Sequence, residues 1–100
     1  MGRLIYIRIH KGENDRLLAA CDEEILGETF TGNGMRITVS ENFYNGELVP
    51  EEAFIEHMKN ATIMNLVGER VIALAIENGH VEEDCVLEIG DVKHAQVVKL

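Results

Sequence analysis

Long apolar runs are missing from this chain of 100 residues. The longest, Val71-Ile72-Ala73-Leu74-Ala75-Ile76, is far shorter than the ~20 residues a membrane-spanning helix needs. The start, Met1-Gly2-Arg3-Leu4-Ile5, has no secretory apolar region, and Tyr6 stands where a myristoylation motif wants Ser or Thr. A soluble cytoplasmic protein with no membrane contact is expected. Proline occurs once, and neither a low-complexity segment nor a repeat is visible, so a single domain over 1–100 is expected. Cysteine occurs twice, as Cys21 and Cys85, never in a Cys-x-x-Cys pair. In a cytosolic chain such distant thiols are reduced rather than bridged.

Positive charge is also scarce. Nine Lys and Arg face 18 Asp and Glu, for a net charge of −9. A field of that sign repels phosphate backbones and argues against non-specific nucleic-acid binding. Arg3, Arg8, Lys11, Arg16 and Arg36 do cluster towards the N-terminus, where Glu13, Asp15, Asp22, Glu23, Glu24 and Glu28 compete with them.

What is present is patterning. Residues 3–10 alternate, with Ile5, Ile7 and Ile9 on one side, and predict a strand. Lys11 to Asp15 supply a turn, and Arg16 to Cys21 return with Leu17, Ala19 and Cys21 in phase. Residues 22–27 read as a short helical turn, with Asp22 as its cap and Gly27 as a left-handed exit. Gly32-Asn33-Gly34 between alternating segments marks a second hairpin. Residues 40–49 read as an ordered loop whose Phe43 and Tyr44 pack down. Pro50 suits the first position of a helix running to about Asn60. From Thr62 to Asn78 the residues Ile63, Met64, Val67, Gly68, Val71, Ile72, Leu74 and Ala75 fill about half the circumference at ~100° per residue, and Ile76 widens the stripe, which predicts a second, largely buried helix. Residues 86–89 and 95–99 read as short strands joined by Gly90 to His94. The expected fold is α+β: two N-terminal hairpins, two consecutive helices, then two short C-terminal strands.

Four segments, Cys21-Asp22-Glu23-Glu24-Ile25-Leu26-Gly27, Phe43-Tyr44-Asn45-Gly46, Ala61 to Glu69 (ATIMNLVGE) and His94-Ala95-Gln96-Val97, resemble in order the signature segments of the DUF424 family of small archaeal proteins. The family often has a proline before that histidine, where this chain has Lys93. The resemblance implies an archaeal cytoplasmic protein, associated with translation or ribonucleoprotein, and carries no assigned activity.

Four constellations of residues bear on chemistry. Cys21, Asp22 and His94 would make a thiol nucleophile with its base; the competing reading has Cys21 facing the core and Asp22 as a cap. A zinc site from Cys21, Cys85, His94 and His80 has no paired-ligand spacing, so no metal or other cofactor is expected. Asn65, Glu69 and Arg70 lie outside that stripe of the expected second helix; Asn65 and Glu69, one turn apart, share a face and would hydrogen-bond a partner or the Phe43–Gly46 loop. With Tyr44 and Gln96 they are the candidate binding residues. Gly32-Asn33-Gly34 lies between strands rather than before a helix, so it reads as a turn and not a phosphate cradle. The leading expectation is a binding or adaptor module for a protein or ribonucleoprotein with basic patches. The alternatives are a small enzyme using Cys21 and His94, and a specific RNA-binding protein using the N-terminal arginines with Tyr6. A homodimer is also expected.

Overall fold

Strict alternation at the N-terminus builds the first hairpin of the protein, whose computed structural model describes residues 3–99; the Gly2 position weighed for acylation lies outside them. β1 (Leu4–Lys11) and β2 (Arg16–Asp22) pair antiparallel, with Tyr6 opposite Cys21 and Arg8 opposite Ala19. The second hairpin, β3 (Thr29–Gly32) and β4 (Met35–Thr38), turns at Asn33-Gly34 and forms its own two-stranded sheet. Gly27 takes the left-handed exit read from the sequence, at φ +89°.

The segment expected as a loop is instead a four-residue helix, α1 (Glu41–Tyr44), and a short strand, β5 (Glu47–Pro50), which pairs with the outer side of β1. Pro50 closes β5, and α2 (Glu51–Asn60) starts one residue later. Glu51 and Glu52 lie in its first turn and His57 and Lys59 in its last, each matching the helix dipole.

The expected helix over 62–78 is corrected by the structure. Its first half is a strand, β6 (Ile63–Val67), and only its second half is a helix, α3 (Glu69–Glu77). Gly68 is the break between them, at φ +119° and ψ 150°, a conformation essentially reserved for glycine. β6 lies inside the sheet, parallel to β2 and antiparallel to the last strand. A strand covered on both sides shows a near-continuous apolar run without alternation, which also fits a helical stripe. The helices are therefore not consecutive.

The C-terminus holds β7 (Leu87–Ile89) and β8 (Val92–Val98), joined by Gly90-Asp91. His94, expected in the connecting turn, is thus inside a strand. The six strands run in the order β5-β1-β2-β6-β8-β7, and β2 and β6 are the sheet's parallel pair.

The sheet separates two cores. On one face α2 and α3 pack Phe54, Met58, Val71, Ile72 and Ala75 over Ile5, Ile7, Leu18, Ala20, Met64 and Leu66. The opposite face is covered by the β3–β4 hairpin and α1, which pack Val39, Tyr44, Phe30 and Ile37 against Ala19, Cys21, Val67 and Val92. These are called the helix face and the hairpin face below. Among the described residues no helix is long and apolar enough to cross a membrane.

Candidate functional site

Strand parity decides which polar residues meet. Ala19 lies opposite Asn65 and Asn65 opposite Gln96; one row away, Cys21 lies opposite Val67 and Val67 opposite His94. All of these side chains point to the hairpin face, since alternate residues of a strand share a side. The result is a cleft of about 340 Å³ between the sheet and its partial cover, lined by Arg36, Ser40, Tyr44, Asn65, His94 and Gln96 among others.

Its walls are held in place. His10 Nε2 donates to the Phe43 carbonyl at 2.9 Å, and the two rings stack with centroids 4.7 Å apart. Arg8 Nη1 donates to the Asn45 carbonyl at 3.3 Å. On the other side the β3–β4 hairpin touches the β7–β8 turn through two glycines. A methyl group at Gly32 would sit 2.4 Å from the Gly90 nitrogen, so backbone meets backbone with no room for a side chain. Asn33 Nδ2 donates to the Glu88 carbonyl at 3.0 Å and fastens the same junction.

The floor carries oriented hydrogen-bonding groups. Tyr44 donates its hydroxyl to Asn65 Oδ1 at 2.7 Å. That bond occupies the amide oxygen and leaves Asn65 Nδ2 as a donor. His94 is 9% exposed, and its Nδ1 lies 2.9 Å from the Leu66 carbonyl. A carbonyl only accepts, so Nδ1 carries the proton and Nε2 the lone pair. Burial lowers the His94 pKa, against the opposing effect of the bond to Leu66, and favours the neutral ring. Among the described residues no buried side-chain nitrogen or oxygen lacks a hydrogen-bond partner. Neither His94 Nε2 nor Asn65 Nδ2 has a partner among the described residues, so both reach the open space of the cleft rather than being sealed beneath it.

The other sequence candidates are elsewhere. Cys21 is wholly buried, and burial, reinforced by Asp22 and Glu24, pushes its thiol up to about 12. One strand separates it from His94, which places the two about 10 Å apart at the usual strand spacing. No thiol–imidazole pair forms.

Asp22 does cap a helix, but not the turn that follows it, which has no side-chain cap. Its Oδ2 and Oδ1 accept from the Arg70 and Val71 amides of α3, each at 2.9 Å. A Cβ at Gly68 would lie 2.4 Å from the Asp22 carboxyl carbon, so Gly68 both turns the chain and makes room for the cap. Burial raises the Asp22 pKa, and those two amides act to lower it.

Glu69 and Arg70 are on the helix face, away from Asn65. Arg70 pairs with Glu51 of α2 at 3.0 Å. Glu69 borders a larger groove, about 440 Å³, between α3 and β7, with Glu77, Glu83, Glu88 and Lys93 around Ile72 and Ile76. Cys85 is exposed, and among the described residues no group of three or more His, Cys, Asp or Glu is placed to hold a metal ion.

The basic N-terminal residues do not gather. Arg36 lines the cleft, Arg3 a groove beside Asp22 and Glu24, Lys11 and Arg16 the first turn with Glu13 and Asp15. The sequence suggests Asn65, Tyr44 and Gln96 as binding residues and Asn65 bonded to the Phe43–Gly46 loop, as the Tyr44 hydroxyl shows; it does not join His94 to them, and it offers no signal for Ser40. Only the strand register brings them together.

Fold and site together define an α+β protein with a mixed six-stranded sheet and a polar cleft on its hairpin face. The chain belongs to the DUF424 family, proteins of unknown function, whose profile matches residues 9–100. It is also similar to the crystal structure of an uncharacterized conserved protein from Methanopyrus kandleri, at 25% identity and a TM-score of 0.80, covering 97% of this chain and 94% of that one. No curated protein matches the sequence.

Proposed function

We propose that this protein is a binding module of the archaeal cytoplasm whose recognition site is the cleft on the hairpin face, and that its partner is a protein or ribonucleoprotein component. The observation that carries this reading is the pair of groups on the cleft floor with no hydrogen-bond partner among the described residues, an acceptor at His94 Nε2 and a donor at Asn65 Nδ2. Donors and acceptors fixed by a rigid scaffold and left without protein partners discriminate strongly between ligands, because a ligand that fails to pair them leaves them unsatisfied. Gln96 at the rim adds a second amide. The net charge of −9 favours encounter with a partner that carries basic patches. A thiol enzyme built on Cys21 and His94 is disfavoured by the sealed, unreactive Cys21.

Co-purification from native archaeal extract tests the proposal. The wild-type chain is expected to retain a stoichiometric partner. Gln96→Arg, which fills the rim from an exposed position, is expected to lose it, and Glu77→Arg on the helix face is expected to keep it. Retention by Gln96→Arg, or no stoichiometric partner at all, contradicts the reading.

A further inference from the structure

Beside the cleft, part of β8 has main-chain groups without partners. In an antiparallel strand the N–H and C=O of one residue point towards the same neighbour, and successive residues alternate. The Lys93 carbonyl accepts from Gly68 N and the Lys99 amide donates to the Thr62 carbonyl, both at 2.8 Å. Odd-numbered residues of β8 therefore face β6, and even-numbered ones face outward. β7 covers Val92 and His94, which lie opposite Ile89 and Leu87. Before Leu87 the chain leaves the sheet, and the Cys85 amide is used within its own turn, on the Glu82 carbonyl. Gln96 and Val98 thus direct their N–H and C=O groups outward with no backbone partner among the described residues.

The side chains around this gap are unusual for an unprotected edge. Natural edges are blunted by lysine, proline or a bulge. This one carries Gln96 and Val98, and the nearby Lys99 turns its ammonium to the Met58 carbonyl at 2.7 Å. Three large hydrophobic residues are exposed among those described, and two of them flank the gap: Leu87 at 48% and Val98 at 65%. Register puts both on the hairpin face with His94 and Gln96.

We infer that the partner binds as an extended peptide segment that pairs with Gln96 and Val98 of β8, continuing the line of β7, and sets an apolar side chain between Leu87 and Val98. This rests on the cleft reading and specifies the form of the partner. Only another extended main chain supplies both donor and acceptor at the spacing an exposed strand edge presents. A second copy of the same chain would bring together two molecules of net charge −9, so a heterologous segment is the occupant the electrostatics favour.

The experiment pans a random displayed-peptide library on the full-length protein and uses the enriched peptides, synthesised, as probes. Amide exchange followed by NMR is expected to slow at Gln96 and Val98 when a probe is added. Val98→Pro deletes an outward N–H without removing an internal bond, and is expected to weaken probe binding about tenfold or more, whereas Val98→Thr keeps the N–H and most of the affinity. Unchanged exchange at both amides overturns the inference without reference to any variant, so a poorly folded Val98→Pro chain does not shield it. A probe that is lost with Gln96→Arg but indifferent to Val98→Pro overturns the pairing and leaves the cleft reading intact. Failure to enrich any peptide, or a dimer formed through β8, overturns the inference as well.

Discussion

The helix face and the hairpin face of one sheet are built to different standards. Beneath α2 and α3 the buried residues are apolar apart from Asp22, which caps α3, and Phe54, Met58, Met64 and Leu66 are wholly sealed. Beneath the hairpin and α1 the apolar cluster is smaller, and the sheet continues past it into Asn65, His94 and Gln96. One face holds the fold, and the other is left partly uncovered with oriented polar groups. β6 carries both demands at once, since Met64 and Leu66 face the helices while Asn65 between them faces the cleft.

Substitutions on the two faces should separate stability from binding. The largest loss is expected for Phe54→Ala, about 3–5 kcal/mol, from the lost burial and the cavity left beneath α2. Against a typical total of roughly 5–15 kcal/mol this leaves the protein marginal, and chemical denaturation measures it. Next is Asp22→Ala. It removes a helix cap and leaves two amides of α3 unpaired at a buried site, for about 2–3 kcal/mol. Smallest is Gln96→Ala, expected within about 0.5 kcal/mol of wild type because the side chain is exposed, though it should weaken partner binding. If Gln96→Ala destabilised the fold as much as Asp22→Ala, the division of labour between the faces would fail.

The sequence made the hairpins legible because alternation and turn residues agree at β1, β2, β3 and β4. The buried setting of Cys21 followed from its phase with Ala19 and Leu17, all on one side of β2. What was not legible was β6. Ile63-Met64-Asn65-Leu66-Val67 is covered on both sides, so it lacks the polar alternation that distinguishes a strand, and it runs straight into the amphipathic α3. Gly68 packs closely against Asp22, and the positive φ that ends the strand is its decisive property. The error mattered for the site, because a helix places Asn65 beside Glu69, whereas a strand places it beside Gln96 and near His94. His94 was misplaced for a related reason: the turn is only Gly90-Asp91, and Val92-Lys93-His94 already alternates as strand.

Nitrogen-15 NMR of the imidazole across pH tests most directly whether His94 presents a neutral nitrogen to the cleft. The expected result is a proton on Nδ1, a bare Nε2 at pH 7, and a titration below the ordinary histidine range near ~6.5. By linkage the folded state then binds fewer protons than the unfolded state just below that range, so stability should fall as pH drops from about 6.5 towards the folded pKa. A proton on Nε2, or a titration at or above ~6.5 with stability insensitive to pH there, would contradict the account.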